Sequence, residues 1–151
     1  MTRAEIHSEI VIDAPPARVW QVLTDFPGYA RWNPFLREVH GTARAGERLS
    51  VTVELPGRPR MMFRTRILSA DPAGELTWTS RYVMPGLLDS EHSFVVAPSG
   101  NGERSLLIQH ENFAGLLVPA FDDATQAEVR RAFGAMNAAL KREAESALAA
   151  A

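Results

Sequence analysis

The sequence has no cysteine, no long apolar run and no strong excess of either charge. The absence of cysteine excludes disulfide bonds and thiolate chemistry. All apolar runs fall short of the roughly 18 residues that a membrane-spanning helix needs. With 16 basic and 18 acidic residues, the formal net charge is -2, which provides no basic surface for nucleic acid. We therefore expect no nucleic-acid partner and no integral membrane association.

The sequence also lacks the motifs of nucleotide and metal sites. Gly100 and Gly102 stand in a predicted turn that no helix follows, so they do not form a phosphate-binding loop. His110 and Glu111 are adjacent in a predicted strand and would face opposite sides of the sheet, which is unsuited to a shared metal ion. The segment that begins at His110 lacks the second histidine of the metalloprotease helix motif. We expect neither a metal nor a cofactor.

The chain has the length and apolar content of one compact domain. Its 151 residues, of which 46% are hydrophobic, suffice for a single core. We therefore predict one domain that spans residues 1–151. The N-terminal residues Met-Thr-Arg-Ala-Glu-Ile lack the apolar core of a secretory signal, so a cytoplasmic location is expected.

The most informative segment, residues 14–35, predicts two short helices after a first strand. Pro15 and Pro16 have the fixed φ that suits a first helical turn. Pro27-Gly28 ends that helix, and Asn33-Pro34 ends the next one. The two small helices are therefore expected to meet at an angle.

The middle of the chain alternates between apolar and polar side chains, which is typical of strands with one buried face. The predicted strands cover residues 48–55, 60–67, 76–82, 88–97 and 104–113. Short turns join them, and such successive neighbours favour an antiparallel meander. Three arginines form one polar row, which we interpret as a solvated outer face: Arg60, Arg64 and Arg66.

From Asp122 onward the pattern becomes helical. Thr125 and Glu128 have the spacing of a capping box. Apolar residues then recur at steps of three and four: Val129, Phe133, Met136, Leu140, Ala144 and Ala147. A helix of about 26 residues would be roughly 39 Å long, enough to cross the sheet. The inward face of the meander is its expected partner.

Residues 14–35, which close on Trp-Asn-Pro-Phe, resemble the N-terminal signature of the START-like superfamily, also known as SRPBCC. Residues 92–94, 109–115 and 133–141 resemble the later strands and the C-terminal helix of its polyketide cyclase/dehydrase-like branch. The resemblance implies an α+β helix-grip fold of the birch-pollen-allergen type. In that fold a curved seven-stranded antiparallel sheet wraps around a long C-terminal helix, with two short helices after strand 1. The resemblance implies no single activity, because fold alone does not determine function.

A strongly curved sheet bends away from the helix near its middle, which predicts a cavity between the two. Apolar and aromatic residues of the inward rows are its expected walls: Trp32, Phe63, Trp78, Tyr82, Phe94, Phe113, Phe133 and Met136. The alternative role of each of these side chains is core packing. As a set they predict binding of a small hydrophobic or amphipathic ligand, lipid-like or polyketide-like.

Four polar residues share the inward rows: His92, Gln109, Glu111 and Asn137. An unpaired buried polar group costs about 1–3 kcal/mol, so these side chains need partners inside the protein. We predict that they orient the ligand; the alternative is a self-satisfied network such as His92 with Glu111. The inward position of Glu111 depends on the register of its strand, because residues 106–108 are apolar on both faces.

His92 and Glu111 also support an enzymatic hypothesis. A buried carboxyl group beside an imidazole would have a pKa nearer neutrality, as acid/base catalysis of enolisation or dehydration requires. The resemblance implies such chemistry for polyketide cyclases, but it supplies no set of catalytic residues. A cofactor-free cyclase or dehydratase is therefore the second hypothesis, after a ligand-binding protein.

Two loops, residues 84–88 and 114–121, are unusually apolar. Glycine and proline flank their leucines, which are Leu87, Leu88, Leu116 and Leu117. These loops could be lids over the cavity, or a patch that contacts a membrane or a second copy of the chain. Mutual packing that seals one end of the sheet is the alternative. The patch gives a third hypothesis, an interaction module that forms a homodimer or binds a membrane peripherally.

Overall fold

The computed structural model of the protein describes residues 3–82, 84 and 86–150, with only the backbone of residues 147–150. The strands are β1 (Arg3–Ile12), β2 (Leu36–His40), β3 (Arg48–Val53), β4 (Met61–Asp71), β5 (Glu75–Arg81), β6 (Asp89–Ser99) and β7 (Arg104–Ala114). The α-helices are α1 (Pro16–Thr24), α2 (Tyr29–Trp32) and α3 (Asp123–Ala150), and short 3-10 helices cover Phe26–Gly28 and Val118–Ala120. The predicted order of a strand, two short helices, further strands and a long helix is confirmed.

The strands form one antiparallel sheet in the order β1-β7-β6-β5-β4-β3-β2. Apart from β1 beside β7, neighbouring strands are consecutive in the sequence, as a meander requires. Register shifts interrupt the pairing of β2 with β3 and of β4 with β5. Such irregularities bend a strand and increase its twist. The sheet accordingly curls into a half-barrel around α3, which confirms the helix-grip fold.

Alternation along β7 places Glu111 inside the protein. Its burial pattern alternates from Ser105 to Phe113, and every second side chain is buried. Glu111 itself is only 4% exposed. The pairing of β6 with β7 sets His92 opposite Glu111 and Phe94 opposite Gln109. The predicted register is therefore the observed one.

Helix α3 buries an apolar stripe that includes Phe133, Met136 and Leu140. It packs mainly against β1 and α1. The side chain of Ala147, which was predicted to continue the stripe, lies outside the described residues. Within the described part of the chain, no helix combines the length and the apolar character needed to cross a membrane.

The helix starts with a cap that differs from the predicted one. Asp122 precedes the first helical residue, and its Oδ1 accepts a hydrogen bond from the Thr125 backbone N–H at 2.9 Å. Glu128 instead pairs with Arg58 of the β3–β4 loop, with 2.9 Å between Oε2 and Nε. The predicted capping box of Thr125 and Glu128 is therefore wrong, because Asp122 already supplies the acceptor one turn earlier.

Asn33 directs the chain from α2 into β2. Its fully buried side-chain Oδ1 accepts hydrogen bonds from the backbone N–H groups of Phe35 at 3.0 Å and Leu36 at 2.9 Å. The turn holds Phe35 against Phe133 of α3, with 5.5 Å between the ring centroids. The asparagine of the Trp-Asn-Pro-Phe segment thus has a structural role, which is to position Phe35.

Replacing Asn33 should destabilise the protein by this mechanism. In Asn33→Ala, two buried N–H groups lose their acceptor, and the free energy of unfolding should fall by about 1–3 kcal/mol. Asn112 is exposed on β7, so Asn112→Ala should change the same quantity by less than about 0.5 kcal/mol. Denaturant titration of both variants measures the difference, and equal losses would contradict this role of Asn33.

Candidate functional site

An internal cavity lies on the concave side of the sheet, next to Phe35. Its apolar wall consists of Phe35, Leu36, Val51, Val53, Phe63 and Trp78. Its polar wall consists of Thr65, Ser80, Tyr82, His92 and Glu111. The cavity volume of about 30 Å³ could hold about one or two water molecules. Typical small-molecule sites have about 300–1,000 Å³, so a ligand would need lining side chains to move.

Glu111 is the carboxyl group of this cavity. The Tyr82 hydroxyl donates a hydrogen bond to Glu111 Oε2 at 3.3 Å, and Ser90 Oγ donates to the Tyr82 hydroxyl at 3.1 Å. Among the described residues, the basic group that lies within 4 Å of the carboxyl is His92, whose Nδ1 is 3.7 Å from Glu111 Oε2. Within the part of the chain that the structure describes, Glu111 therefore lacks the arginine or lysine partner that usually accompanies a buried carboxylate.

Burial shifts the pKa values of both groups towards their neutral forms. It raises the pKa of Glu111 to about 7, although the neighbouring hydroxyl groups of Ser90 and Tyr82 act in the opposite direction. Burial likewise lowers the pKa of His92 to about 4, despite its hydrogen bond with Gln109. Burial, and next the charge of Glu111, raises the pKa of the Tyr82 hydroxyl. Between about pH 4 and pH 7, His92 and Glu111 are thus a neutral imidazole beside a neutral carboxyl group.

Aromatic packing fixes the plane of the His92 ring. The ring stacks on Phe94 with centroids 4.4 Å apart and on Phe133 with centroids 4.9 Å apart. The interplanar angles are 16° and 18°, so the three rings are nearly parallel. Trp78 closes another side, with a centroid distance of 5.5 Å. These apolar neighbours explain why desolvation dominates the pKa of His92.

A chain of hydrogen bonds fixes the tautomer of His92. Gln109 Nε2 donates to Asn137 Oδ1 at 2.5 Å and lies 3.5 Å from the Phe133 carbonyl oxygen. Because a backbone carbonyl can only accept, Gln109 Oε1 must be the atom that faces His92 Nε2, at 3.0 Å. His92 Nε2 therefore carries the proton, and the neutral ring presents a lone pair at Nδ1 on the Glu111 side. Asn137 Nδ2 extends the chain to Ser8 Oγ at 3.0 Å.

Thr65 contributes an unpaired hydroxyl to the cavity. Its side chain lines the cavity and is 5% exposed. Among the described protein atoms, Thr65 Oγ1 has no hydrogen-bond partner. A buried polar atom without a partner carries a desolvation cost. The hydroxyl is therefore available to a polar group that enters the cavity.

The structure divides the predicted site residues into several groups. Phe63, Trp78, Tyr82, His92 and Glu111 line the cavity directly. A layer behind them contains four residues that contact His92 or one another: Phe94, Phe133, Gln109 and Asn137. Met136, which is buried, lies on α3 together with Phe133 and Asn137. Phe113 lies near the end of β7, where it packs against Tyr82 and Phe121.

Trp32 lies away from the cavity. It packs edge-on against Tyr29, with centroids 5.0 Å apart. It also lines a surface depression together with residues of α1 and with Glu143 of α3. Helix α2 is a single turn, and it sets Trp32 beside the α1 residues that line the same depression. His110 likewise faces outward, with its Nε2 3.9 Å from Glu5 Oε2.

Sequence reasoning did not assign a site role to Phe35, Thr65 or Ser80. The alternation that identified Phe63 and Trp78 also places Thr65 and Ser80 on the inward rows, so the signal for their position was present. Phe35 lies in the recognised Trp-Asn-Pro-Phe segment. Among the described residues, no cluster of three or more His, Asp or Glu side chains has metal-binding geometry.

The two apolar loops contact each other. The backbone N–H groups of Leu116 and Leu117 donate to the carbonyl groups of Gly86 at 3.2 Å and Leu87 at 2.9 Å. Leu88 packs against the core, whereas Leu116 is 79% exposed. Pro85 of the first loop lies outside the described residues. Contact of this surface with a membrane or a second copy of the chain stays a prediction.

The unpaired hydroxyl of Thr65 predicts an unusual response to mutation. Thr65→Val keeps the side-chain shape and removes an unsatisfied buried group, so the free energy of unfolding should rise by about 1 kcal/mol. The matched control is Thr77→Val, because Thr77 is also 5% exposed but its hydroxyl lies 3.1 Å from Ser93 Oγ. That variant should lose about 0.5–1.5 kcal/mol. Destabilisation of both variants in denaturant titrations would show that the Thr65 hydroxyl has a hydrogen-bond partner in solution.

His92 and Glu111 should make opposite contributions to the pH dependence of stability. Folded Glu111 keeps its proton up to about pH 7. Its contribution to the free energy of unfolding is therefore present at low pH and is lost as the pH rises from 4.5 to about 7. Folded His92 stays neutral down to about pH 4, so its contribution is present above pH 6.5 and is lost as the pH falls to about 4. The two effects oppose each other where these ranges overlap.

Single variants should separate the two contributions. Relative to the wild type, the unfolding free energy of Glu111→Gln should increase with pH over the range from 4.5 to about 7. The unfolding free energy of His92→Gln relative to the wild type should decrease as the pH rises from about 4 to 6.5. Each slope should be at most about 1.4 kcal/mol per pH unit. Glu91→Gln, an exposed neighbour, is the control and should run parallel to the wild type. Parallel curves for all three variants would contradict the shifted pKa values.

Comparison with known proteins places this chain in a family. A family model described as polyketide cyclase / dehydrase and lipid transport matches residues 3–145. No curated protein sequence matches the chain significantly. Zhui aromatase/cyclase from a Streptomyces species is 21% identical, with 95% of this chain and 94% of that chain covered and a TM-score of 0.75.

Two further solved structures share the fold. A START superfamily protein from Mycobacterium smegmatis is 19% identical, with 94% of this chain and 97% of that chain covered and a TM-score of 0.75. Norcoclaurine synthase from Thalictrum flavum is 13% identical, with 96% and 88% covered and a TM-score of 0.72. The resemblance seen in the sequence is thereby confirmed. The chain belongs to the polyketide cyclase/dehydrase and lipid transport family.

Proposed function

We propose that this protein binds a small hydrophobic or amphipathic molecule whose polar end enters the internal cavity. The observation that carries the proposal is that Thr65, whose buried hydroxyl is unpaired among the described residues, lines the same small chamber as Glu111 with its buried carboxyl. The family description supports it, because polyketide chemistry and lipid transport both concern largely apolar small molecules.

The chemistry of the cavity favours a neutral polar group on the ligand. Below about pH 7, Glu111 has a proton to donate, and the Thr65 hydroxyl can donate or accept. The cavity contains no lysine or arginine among its described lining residues, so an anion there would remain uncompensated. A carbonyl or hydroxyl oxygen on a lipid-like or polyketide-like skeleton meets these conditions.

A cofactor-free cyclase or dehydratase is the second candidate. It is favoured by the raised pKa of Glu111, about 7, which makes both protonation states accessible near neutrality. The Glu111 carboxylate would remove a proton from carbon next to a carbonyl group. The carboxyl would then return that proton to a departing hydroxyl, which leaves as water. The solved structure of an aromatase/cyclase with the same fold is consistent with this candidate.

Comparison of co-purifying molecules would test the proposal and separate the two candidates. Wild type, Glu111→Gln and the surface control Glu91→Gln would be produced in the same host and examined by native mass spectrometry. A binding protein should carry the same small molecule in all three forms. A dehydratase should carry, in Glu111→Gln alone, a molecule heavier by one water than the one found in the wild type.

A cyclisation without loss of water would leave the mass unchanged. In that case the molecule released from Glu111→Gln should differ from the wild-type molecule in its ultraviolet spectrum and retention time. Identical molecules in all forms would exclude catalysis by Glu111. Wild-type protein that stays empty in the host, and that also fails to take up added apolar probes, would overturn the proposed function.

A further inference from the structure

A second concave surface lies outside the cavity, between α3 and the loop that joins β3 to β4. Its floor is apolar and includes Pro34, Phe35, Pro56 and Ala132. We refer to this surface as the outer groove. Its volume of about 400 Å³ falls within the range of small-molecule sites. The groove is therefore large enough for the part of a ligand that the small inner cavity cannot hold.

Phe35 belongs to both spaces. Its side chain lines the outer groove and the inner cavity, and it is 6% exposed. Asn33 fixes its backbone through the hydrogen bond at 3.0 Å. The ring itself is held by apolar packing on Phe133, with centroids 5.5 Å apart. Phe35 is therefore a wall that the groove and the cavity have in common.

The charges around the outer groove leave one arginine available. Glu54 lies 3.5 Å from both Arg37 and Arg60. Glu128 is 2.9 Å from Arg58. Arg131, which is exposed and lines the groove, has no ion-pair partner among the described residues. An anionic group in the groove would meet this free guanidinium, whereas both carboxylates are already neutralised.

We infer that the outer groove and the inner cavity are two chambers of one site for an elongated amphipathic ligand. Its neutral polar end lies beside Thr65, its apolar body passes Phe35, and its anionic outer end pairs with Arg131. This inference rests on the proposed function and extends it by naming the ligand class and the route. Phe35 is the movable partition between the chambers.

The opposite end of the sheet is closed in a different way. There the two apolar loops are joined by backbone hydrogen bonds, from Leu117 N–H to Leu87 carbonyl at 2.9 Å for example. Gly115 lies so close to Leu87 that an added Cβ would stand 2.4 Å from its carbonyl oxygen. Opening that end would break backbone hydrogen bonds, whereas the groove and the cavity share a side chain, Phe35, as their common wall.

Two fluorescent probes that share a ring system can test the anionic subsite. Anilinonaphthalene sulfonate carries a negative charge, and phenylnaphthylamine is its uncharged counterpart. Arg131→Gln should weaken binding of the sulfonate about two- to fivefold, the range of a partly exposed ion pair, and should leave the neutral probe unchanged. Arg130→Gln removes the adjacent exposed arginine of the same helix, which does not line the groove, and should affect neither probe.

Association kinetics of the neutral probe can test the route. Phe35→Leu should increase the association rate about three- to tenfold, because an aromatic contact that holds the partition is lost. The control is Phe121→Leu, which alters the loop end, where Phe121 packs on Phe113 at 4.7 Å. Stopped-flow fluorescence should show no acceleration for the control. Thermal unfolding of each variant verifies that it is folded.

The outcomes distinguish the inference from the function on which it rests. If both probes bind but Arg131→Gln and Arg130→Gln behave alike, the anionic subsite is wrong. Acceleration by Phe121→Leu instead of Phe35→Leu would place the route at the apolar loops and overturn the partition. If neither probe binds the wild type or any folded variant, the proposed function itself fails.

Discussion

The pairing of β6 with β7 is the constraint on which the site depends. It sets His92 opposite Glu111 and Phe94 opposite Gln109, so that β6 supplies an imidazole and a phenyl ring and β7 supplies two polar side chains to the same interior layer. Because side chains alternate along a strand, a slip of one residue would expose Glu111 and bury Asn112 in its place. His92 and Glu111 thus stand in the most extensively paired part of the sheet.

The same interior holds groups whose burial opposes folding. Desolvation is the largest influence on the pKa values of both His92 and Glu111, and the Thr65 hydroxyl has no hydrogen-bond partner in the described part of the protein. Well-packed apolar residues at such positions are often neutral or stabilising. The stacked rings of Phe94 and Phe133 support this polar cluster from behind. A ligand that satisfies the hydroxyl and the carboxyl would recover part of the cost, which is why these groups are more informative about function than the aromatic wall.

The fold and the inward rows were predictable from sequence because alternation and helical periodicity extend over long segments. Gln109 and Glu111 were placed correctly by parity along an 11-residue strand. Trp32 was not, since a helix of four residues has no periodicity from which to infer a direction. The cap of α3 was ambiguous because Asp122 and Thr125 are both good capping residues, and only the hydrogen bond decides between them. Cavity size and the unpaired state of Thr65 depend on side-chain packing at atomic detail, which pattern alone does not contain.

Asn33 gives Phe35 a rigid backbone support. It anchors the chain by accepting from two successive backbone N–H groups, and the side chain that follows, Phe35, stands between two spaces of very different size. The width of the passage is then determined by one residue on a rigid support. Substitution of Phe35 by a smaller or larger side chain could admit thicker or thinner ligands without any change in the surrounding backbone. A single substitution is thus a simple physical route by which one fold comes to bind different molecules.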